Sequence, residues 1–205
     1  VPLPEVDFGP EIEDYAAPTS PNSCDPSPKP GVSIVADFLL TTAGGCCWAP
    51  GLQEPSGIVR ACSIGAASDH HEGRAFDWML HASDPEQRKI AEDFLTWLLK
   101  TDRYGNEHAN LRRMGITYLI WNRQAFSSYR PYWRAYTREN PHTDHIHISF
   151  GWPGARGETS FQRWLSGELP AEAIWRSPTA RLLAGAALAL GAWLGYQYVY
   201  QQARV

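Results

Sequence analysis

The segment Pro141–Phe150, PHTDHIHISF, carries the reading that decides the fold. Its end, Ile146 to Phe150 (IHISF), is rich in β-branched and aromatic residues and predicts a strand. Ile116 to Trp121 (ITYLIW) has the same character and predicts another. Helical spacing dominates elsewhere. Val32, Val35, Ala36, Leu39 and Leu40 recur at helical intervals, with Gly44-Gly45 as a stop. Ile90, Ala91, Phe94, Leu95, Leu98 and Leu99 form the apolar face of a further helix, which Ser83 or Asp84 caps and Pro85 opens. Helices mixed with non-repeating strands predict an α+β domain over residues 32–165, with a small antiparallel sheet and flanking helices, rather than a doubly wound sheet.

The flanking segments differ in composition. Residues 1–31 are rich in proline, carry several acidic groups and show little apolar periodicity. Such a stretch buries too little surface to offset its ordering, so it reads as an extended arm or linker, more readily a tail than a packed element. After a linker at 166–180, Leu182 to Tyr200 holds no charge, and Trp193, Tyr196, Tyr198 and Tyr200 gather toward its end. At 1.5 Å per residue it would reach about 28 Å, close to the hydrocarbon thickness of a bilayer. One transmembrane helix is therefore expected at 181–200, with 201–205 as a tail. Gly191 and Gly195 form a weak GxxxG pair for helix association. A formal charge of −4 and no basic stripe argue against nucleic acid as a partner.

Four cysteines, Cys24, Cys46, Cys47 and Cys62, include no CxxC pair, which disfavours a zinc knuckle. Adjacent Cys46 and Cys47 could hardly pair with each other without strain. Cys62 bonded to Cys46 or Cys47 is the expected pairing, with four reduced thiols in a cytosolic protein as the other reading. Disulfides favour an oxidising compartment and place the domain outside the membrane, with the short tail inside.

Five of the seven histidines fall in two short segments. The first is Ser68-Asp69-His70-His71-Glu72-Gly73-Arg74-Ala75-Phe76-Asp77, and the second is His142-Thr143-Asp144-His145-Ile146-His147. Period two puts His145 and His147 on one face of the strand. Imidazole and carboxylate together suit a borderline cation such as Zn²⁺. His71 and Glu72 are expected to face solvent or to support the ligands from behind. Trp121, Trp133 and Trp152 read first as aromatic packing and second as the lining of a glycan or peptide cleft.

These residues resemble a known family. Ser68, His70, Gly73, Ala75 and Asp77 match the pattern S-x-H-x-x-G-x-A-x-D, and His145 and His147 supply its partner H-x-H. Together they look like the LAS-type zinc peptidases of peptidoglycan, which include VanX/VanY carboxypeptidases and the murein endopeptidase MepA. The stretches GIVRACS, GRAFDWML, YLIWNR and PHTDHIHISF also resemble a group of actinobacterial secreted proteins. The resemblance covers roughly Val32 to Trp164 and implies a LAS/hedgehog-like peptidase fold.

It further implies that His70, Asp77 and His147 hold zinc. Ser68 and Gly73 would shape the first loop, with Ser68 on the substrate side. The acid–base position falls on Asp144 by the carboxypeptidase pattern, where the family carries Glu, and on His145 by the endopeptidase pattern. His145 is taken as base or oxyanion partner, His142 as a stabiliser of the tetrahedral intermediate, and Asp144 as the group orienting a histidine. Arg60 would bind a substrate carboxylate bidentately or serve as a surface ion pair. The expected function is zinc-dependent hydrolysis of D-amino-acid-containing peptide bonds in peptidoglycan, by a domain anchored in the plasma membrane at the cell envelope. The alternative is a non-catalytic zinc-binding subunit or assembly factor of a larger envelope membrane complex.

Overall fold

The computed structural model describes residues 3–44 and 57–169. The chain divides into two compact units; the larger carries the domain below, and of the second only Pro4–Asp7 are described. Along the chain run α1 (Pro30–Thr42), a 3₁₀ turn (Asp69–Glu72), β1 (Ala75–Met79), α2 (Pro85–Leu99), α3 (Ala109–Met114) and β2 (Ile116–Trp121). There follow β3 (Gln124–Ser127), β4 (Arg130–Ala135), β5 (His145–Phe150), α4 (Trp152–Arg156) and α5 (Ser160–Leu165).

Local chemistry sets the helix starts. Asp84 accepts from the backbone N–H groups of Glu86 and Gln87 at 2.9 and 3.1 Å, satisfying two donors that the first turn of α2 leaves free. Pro85 follows at the position where a missing N–H costs nothing. Pro30 opens α1 in the same way. Gly31 and α4 approach so closely that a Cβ on Gly31 would lie 2.0 Å from the carbonyl oxygen of Gly154.

The strands form one antiparallel sheet in the order β1-β5-β2-β3-β4. Phe76, Trp78, Leu119, Phe126, Ile146, Ile148 and Phe150 are buried in the core shared with the helices. There the Trp78 and Phe94 rings meet edge to face at 5.3 Å, as do those of Phe38 and Phe161. Strand alternation leaves Asp77, Tyr118, His145, His147 and Ser149 on the opposite face. The architecture is α+β with helices flanking an antiparallel sheet. Among the described residues no helix is long and apolar enough to cross a membrane. The expected span at 181–200 and all but the first few residues of the 166–180 linker lie outside the described residues.

From residue 8 to 29 the proline-rich arm has neither helix nor strand, yet it is docked on the domain rather than trailing as a tail. Its backbone carbonyls find side-chain donors: Arg113 reaches Gly9 and Glu11, Arg112 reaches Glu13, Ser128 reaches Ala16 and Arg74 reaches Thr19. Glu72 accepts from the N–H groups of Asn22 and Ser23 at 2.9 and 3.0 Å. Hydrogen bonds to charged groups contribute more than neutral ones, and they offset the ordering cost that apolar burial does not cover.

The docked arm also corrects the expected disulfide. Cys62 bonds to Cys24, not to Cys46 or Cys47, and no described cysteine is free. Cys46 and Cys47 lie outside the described residues. The arm delivers Cys24 to the loop before the 3₁₀ turn, where the neighbouring Asp25 N–H donates to the His71 carbonyl at 2.9 Å. Read as a tail, the arm gave no reason to bring Cys24 there.

The bond closes a sequence separation of 38 residues. Replacing both cysteines by serine is expected to cost about 2–4 kcal/mol of stability by loss of that constraint on the unfolded chain. Urea unfolding of the two proteins under oxidising conditions measures the difference.

Candidate metal centre

The register of β1 and β5 sets Asp77 directly opposite His147. Cross-strand partners share a face, so both side chains rise on the side away from the core. His145, two residues before His147, stands on that face opposite Met79.

The third side chain comes from the 3₁₀ turn. Ser68 caps it, its hydroxyl accepting from the His70 N–H at 3.4 Å. Gly73 ends it at φ 62°, a left-handed conformation, and a Cβ there would lie 1.8 Å from the Ser27 carbonyl oxygen. The turn thus sits close under the arm and aims His70 at the sheet.

His70 Nε2 lies 3.2 Å from His147 Nδ1 and 3.2 Å from Asp77 Oδ1, and His147 Nδ1 lies 2.8 Å from Asp77 Oδ1. All three side chains are buried, and their donor atoms form a group that can hold a metal ion. Metal–ligand distances near 2.0 Å in a tetrahedron put donor atoms about 3.3 Å apart. The two 3.2 Å spacings fit that figure, while the 2.8 Å between His147 and Asp77 is that of a hydrogen bond. Two imidazoles with one carboxylate would leave a fourth position open.

Outer contacts fix which nitrogen points inward. The His70 Nδ1–H donates to the Ile58 carbonyl at 2.8 Å, which turns Nε2 to the centre. His147 turns Nδ1 to the centre, while its Nε2 meets Ser149 Oγ at 3.0 Å and the Tyr118 hydroxyl at 3.3 Å. The Tyr118 ring also stacks on His147, with centroids 5.3 Å apart. Burial and the Asp69 carboxylate push the Tyr118 phenol upward, keeping it protonated.

The electrostatics suit a cation. Burial raises the Asp77 pKa, but His70 and His147 outweigh it and hold the carboxyl well below the usual carboxylate range. Burial lowers His147, against the pull of Asp77, so its ring favours the neutral form that coordinates metal.

Two more histidines complete the rim. The His145 Nδ1–H donates to Asp144 Oδ1 at 2.8 Å, which leaves Nε2 facing the centre, 3.7 Å from Asp77 Oδ2. His142 stands with its ring centroid 4.8 Å from His145 and 5.8 Å from His147. Its Nδ1–H donates to the Asn140 carbonyl at 2.8 Å. Burial, reinforced by His147 and His145, lowers its pKa to about 4. At neutral pH the ring is therefore uncharged with a bare Nε2, a proton acceptor rather than a ready oxyanion donor.

The structure thus brings His70, Asp77, His142, Asp144, His145 and His147 together. Ser68 serves as the cap of the turn. The Arg60 N–H donates to the His70 carbonyl at 3.3 Å, and its guanidinium makes no ion pair among the described residues. His71 and Glu72 are buried rather than solvent-facing. His71 Nε2–H donates to the Ile64 carbonyl, and Glu72 pairs with Arg74 at 2.6 Å. Arg74, fully buried, pairs with Asp69 at 2.7 Å as well and joins the turn to the arm and to the Phe150 carbonyl.

Sequence reading passed over Ser149, Tyr118 and Arg74. Ser149 follows His147 at the same period of two and was within reach. Tyr118 is placed by pairing with Ser149 across β2 and β5, which no local pattern reveals.

A protein-family model described as VldE, C-terminal domain, matches residues 47–147. The chain is similar to that family over the stretch that holds both His/Asp segments, ending on His147. No curated protein and no solved structure matches the chain.

Beside His147, whose pKa burial also lowers, His142 contributes to the pH response of the metal-free protein. Its folded pKa, about 4, lies below the ordinary 6.5, so the unfolded chain binds more protons between those values. Stability is then full above pH 6.5 and falls as pH drops toward 4, by on the order of 3 kcal/mol from this residue. Urea unfolding between pH 4 and pH 7 checks the slope, and its flattening in His142→Asn assigns it.

Proposed function

We propose that the protein is a zinc-dependent peptidase that hydrolyses peptide bonds of peptidoglycan, in D-amino-acid-containing stems or cross-links. The observation carrying this reading is the meeting of three buried donor atoms within 3.2 Å of one another with an Asp144–His145 pair beside them. The resemblance of the two motifs to LAS-type peptidases supplies the reaction class, and His70, Asp77 and His147 are the residues that would hold the cation. Zinc there would supply Lewis-acid polarisation of a carbonyl and acidify water.

The chain's own groups divide the remaining work. Asp144 accepts from the His145 Nδ1–H, which orients the ring and turns Nε2 inward. His145 accepts the proton of the attacking water at Nε2 and returns it to the leaving amine. His142, neutral at rest, becomes a donor to a developing oxyanion only after its own Nε2 takes a proton. Tyr118 and Ser149 steady His147 from behind. The disulfide supports an extracytoplasmic site, and the uncharged stretch 182–200 would tether it to the plasma membrane.

The alternative is a zinc-stabilised subunit or assembly factor of an envelope complex, with the arm wrapping a partner. The arm is instead committed to its own domain through Arg74, Arg112 and Arg113. That favours the enzyme.

Zinc-loaded full-length protein is expected to release new amines from cell-wall peptides, and a chelator should abolish release. His145→Ala should cut the rate by about 10²–10⁴ with zinc content unchanged. Absence of release over a broad panel of stem and cross-bridge peptides counts against peptidase activity.

A further inference from the structure

A cavity of about 420 Å³ opens on the helix-covered side of the sheet, between α2 and the ends of β2, β3 and β4. Glu92, Leu95, Thr96 and Leu99 form one wall at helical spacing along α2; Trp121, Asn122, Gln124 and Trp133 form the other. The volume is that of a small-molecule site. Trp121 pairs across the strands with Gln124 and alternates with Ile120, the neighbour of His147. The cavity is therefore on the opposite face of the sheet from the metal-binding side chains, and its occupancy is separable from the peptidase reading.

The wall is chemically particular. Two indoles supply flat apolar surface, Trp121 only 5% exposed and Trp133 half-buried with its edge against Phe126. Around them the Asn122 and Gln124 amides, the Thr96 hydroxyl and the Glu92 carboxylate have no hydrogen-bond partner among the described residues. Neither indole N–H has one either. Glu92 is the single charged side chain of the lining, which disfavours an anion.

We infer that this cavity binds a neutral saccharide. A pyranose presents a face of C–H groups that stacks on an indole and an equatorial rim of hydroxyls. Amide, hydroxyl and carboxylate groups can meet that rim as donors and acceptors. The same turn that carries Asn122 holds the metal-site loop: the Asn122 N–H donates to the His142 carbonyl at 2.7 Å, and the Arg123 N–H to that of Pro141 at 2.9 Å. A sugar chain seated on Trp133 is thus held one turn away from His142.

The test is a tryptophan-fluorescence titration, confirmed by calorimetry, of the full chain with three neutral oligosaccharides: the N-acetylglucosamine trimer, cellotriose and maltotriose. At least one is expected to bind saturably at one equivalent, and which one identifies the sugar. Trp133→Ala should weaken it by about tenfold, and Gln124→Ala by about threefold, with metal content unchanged in both. Gln124 is exposed, so its variant decides the matter even where Trp133→Ala unfolds. Absence of saturable binding for all three sugars overturns the inference, as does binding that Gln124→Ala leaves unchanged.

Discussion

The antiparallel pairing of β1 with β5 governs everything the site can do. Asp77 meets His147 because their strands are in that register, and Ile146, Ile148 and Phe76 fill the core for the same reason. A slip of one residue would turn the histidines into the apolar core and the isoleucines out. The hydrophobic demand of the core therefore enforces the geometry of the candidate metal site. Two of the three ligands need no special loop, and the third needs only a turn held at the right height.

That turn depends on a buried arginine. Arg74 pairs with Asp69 and Glu72 inside the protein, where an unpaired guanidinium would be costly. The same guanidinium holds Thr19 of the arm and the carbonyl at the end of β5. Asp69 in turn touches Tyr118, which stacks on His147. One connected set of polar contacts runs from the arm through the turn to His147. The disulfide fastens the same region from the other side, since Cys62 follows the Ile58 carbonyl that orients His70.

Much of this was legible in the residue pattern. Helix α2 announced itself through Asp84, Pro85 and an apolar face at period 3.6, and β2 and β5 through their β-branched residues. The grouping of His70, Asp77 and His147, which can hold a metal ion, was legible because imidazoles and carboxylates cluster at spacings that strand and turn geometry turns inward. What escaped has a common physical cause. Strand β4 is an exposed edge with weak alternation, β3 is only four residues long, and β1 is five residues hidden inside a polar motif. The docking of the arm rests on backbone carbonyls meeting distant arginines, and backbone acceptors leave no trace in composition. The Cys24–Cys62 bond followed from that docking and was missed with it.

The central claim is that His70, Asp77 and His147 hold one metal ion in a preformed buried site. It is tested most directly by metal analysis of the purified protein beside His147→Ala, each equilibrated with zinc and passed through the same chelating resin. One equivalent is expected in the wild type and background in the variant, with both folded by circular dichroism. Equal zinc in the two proteins would contradict it.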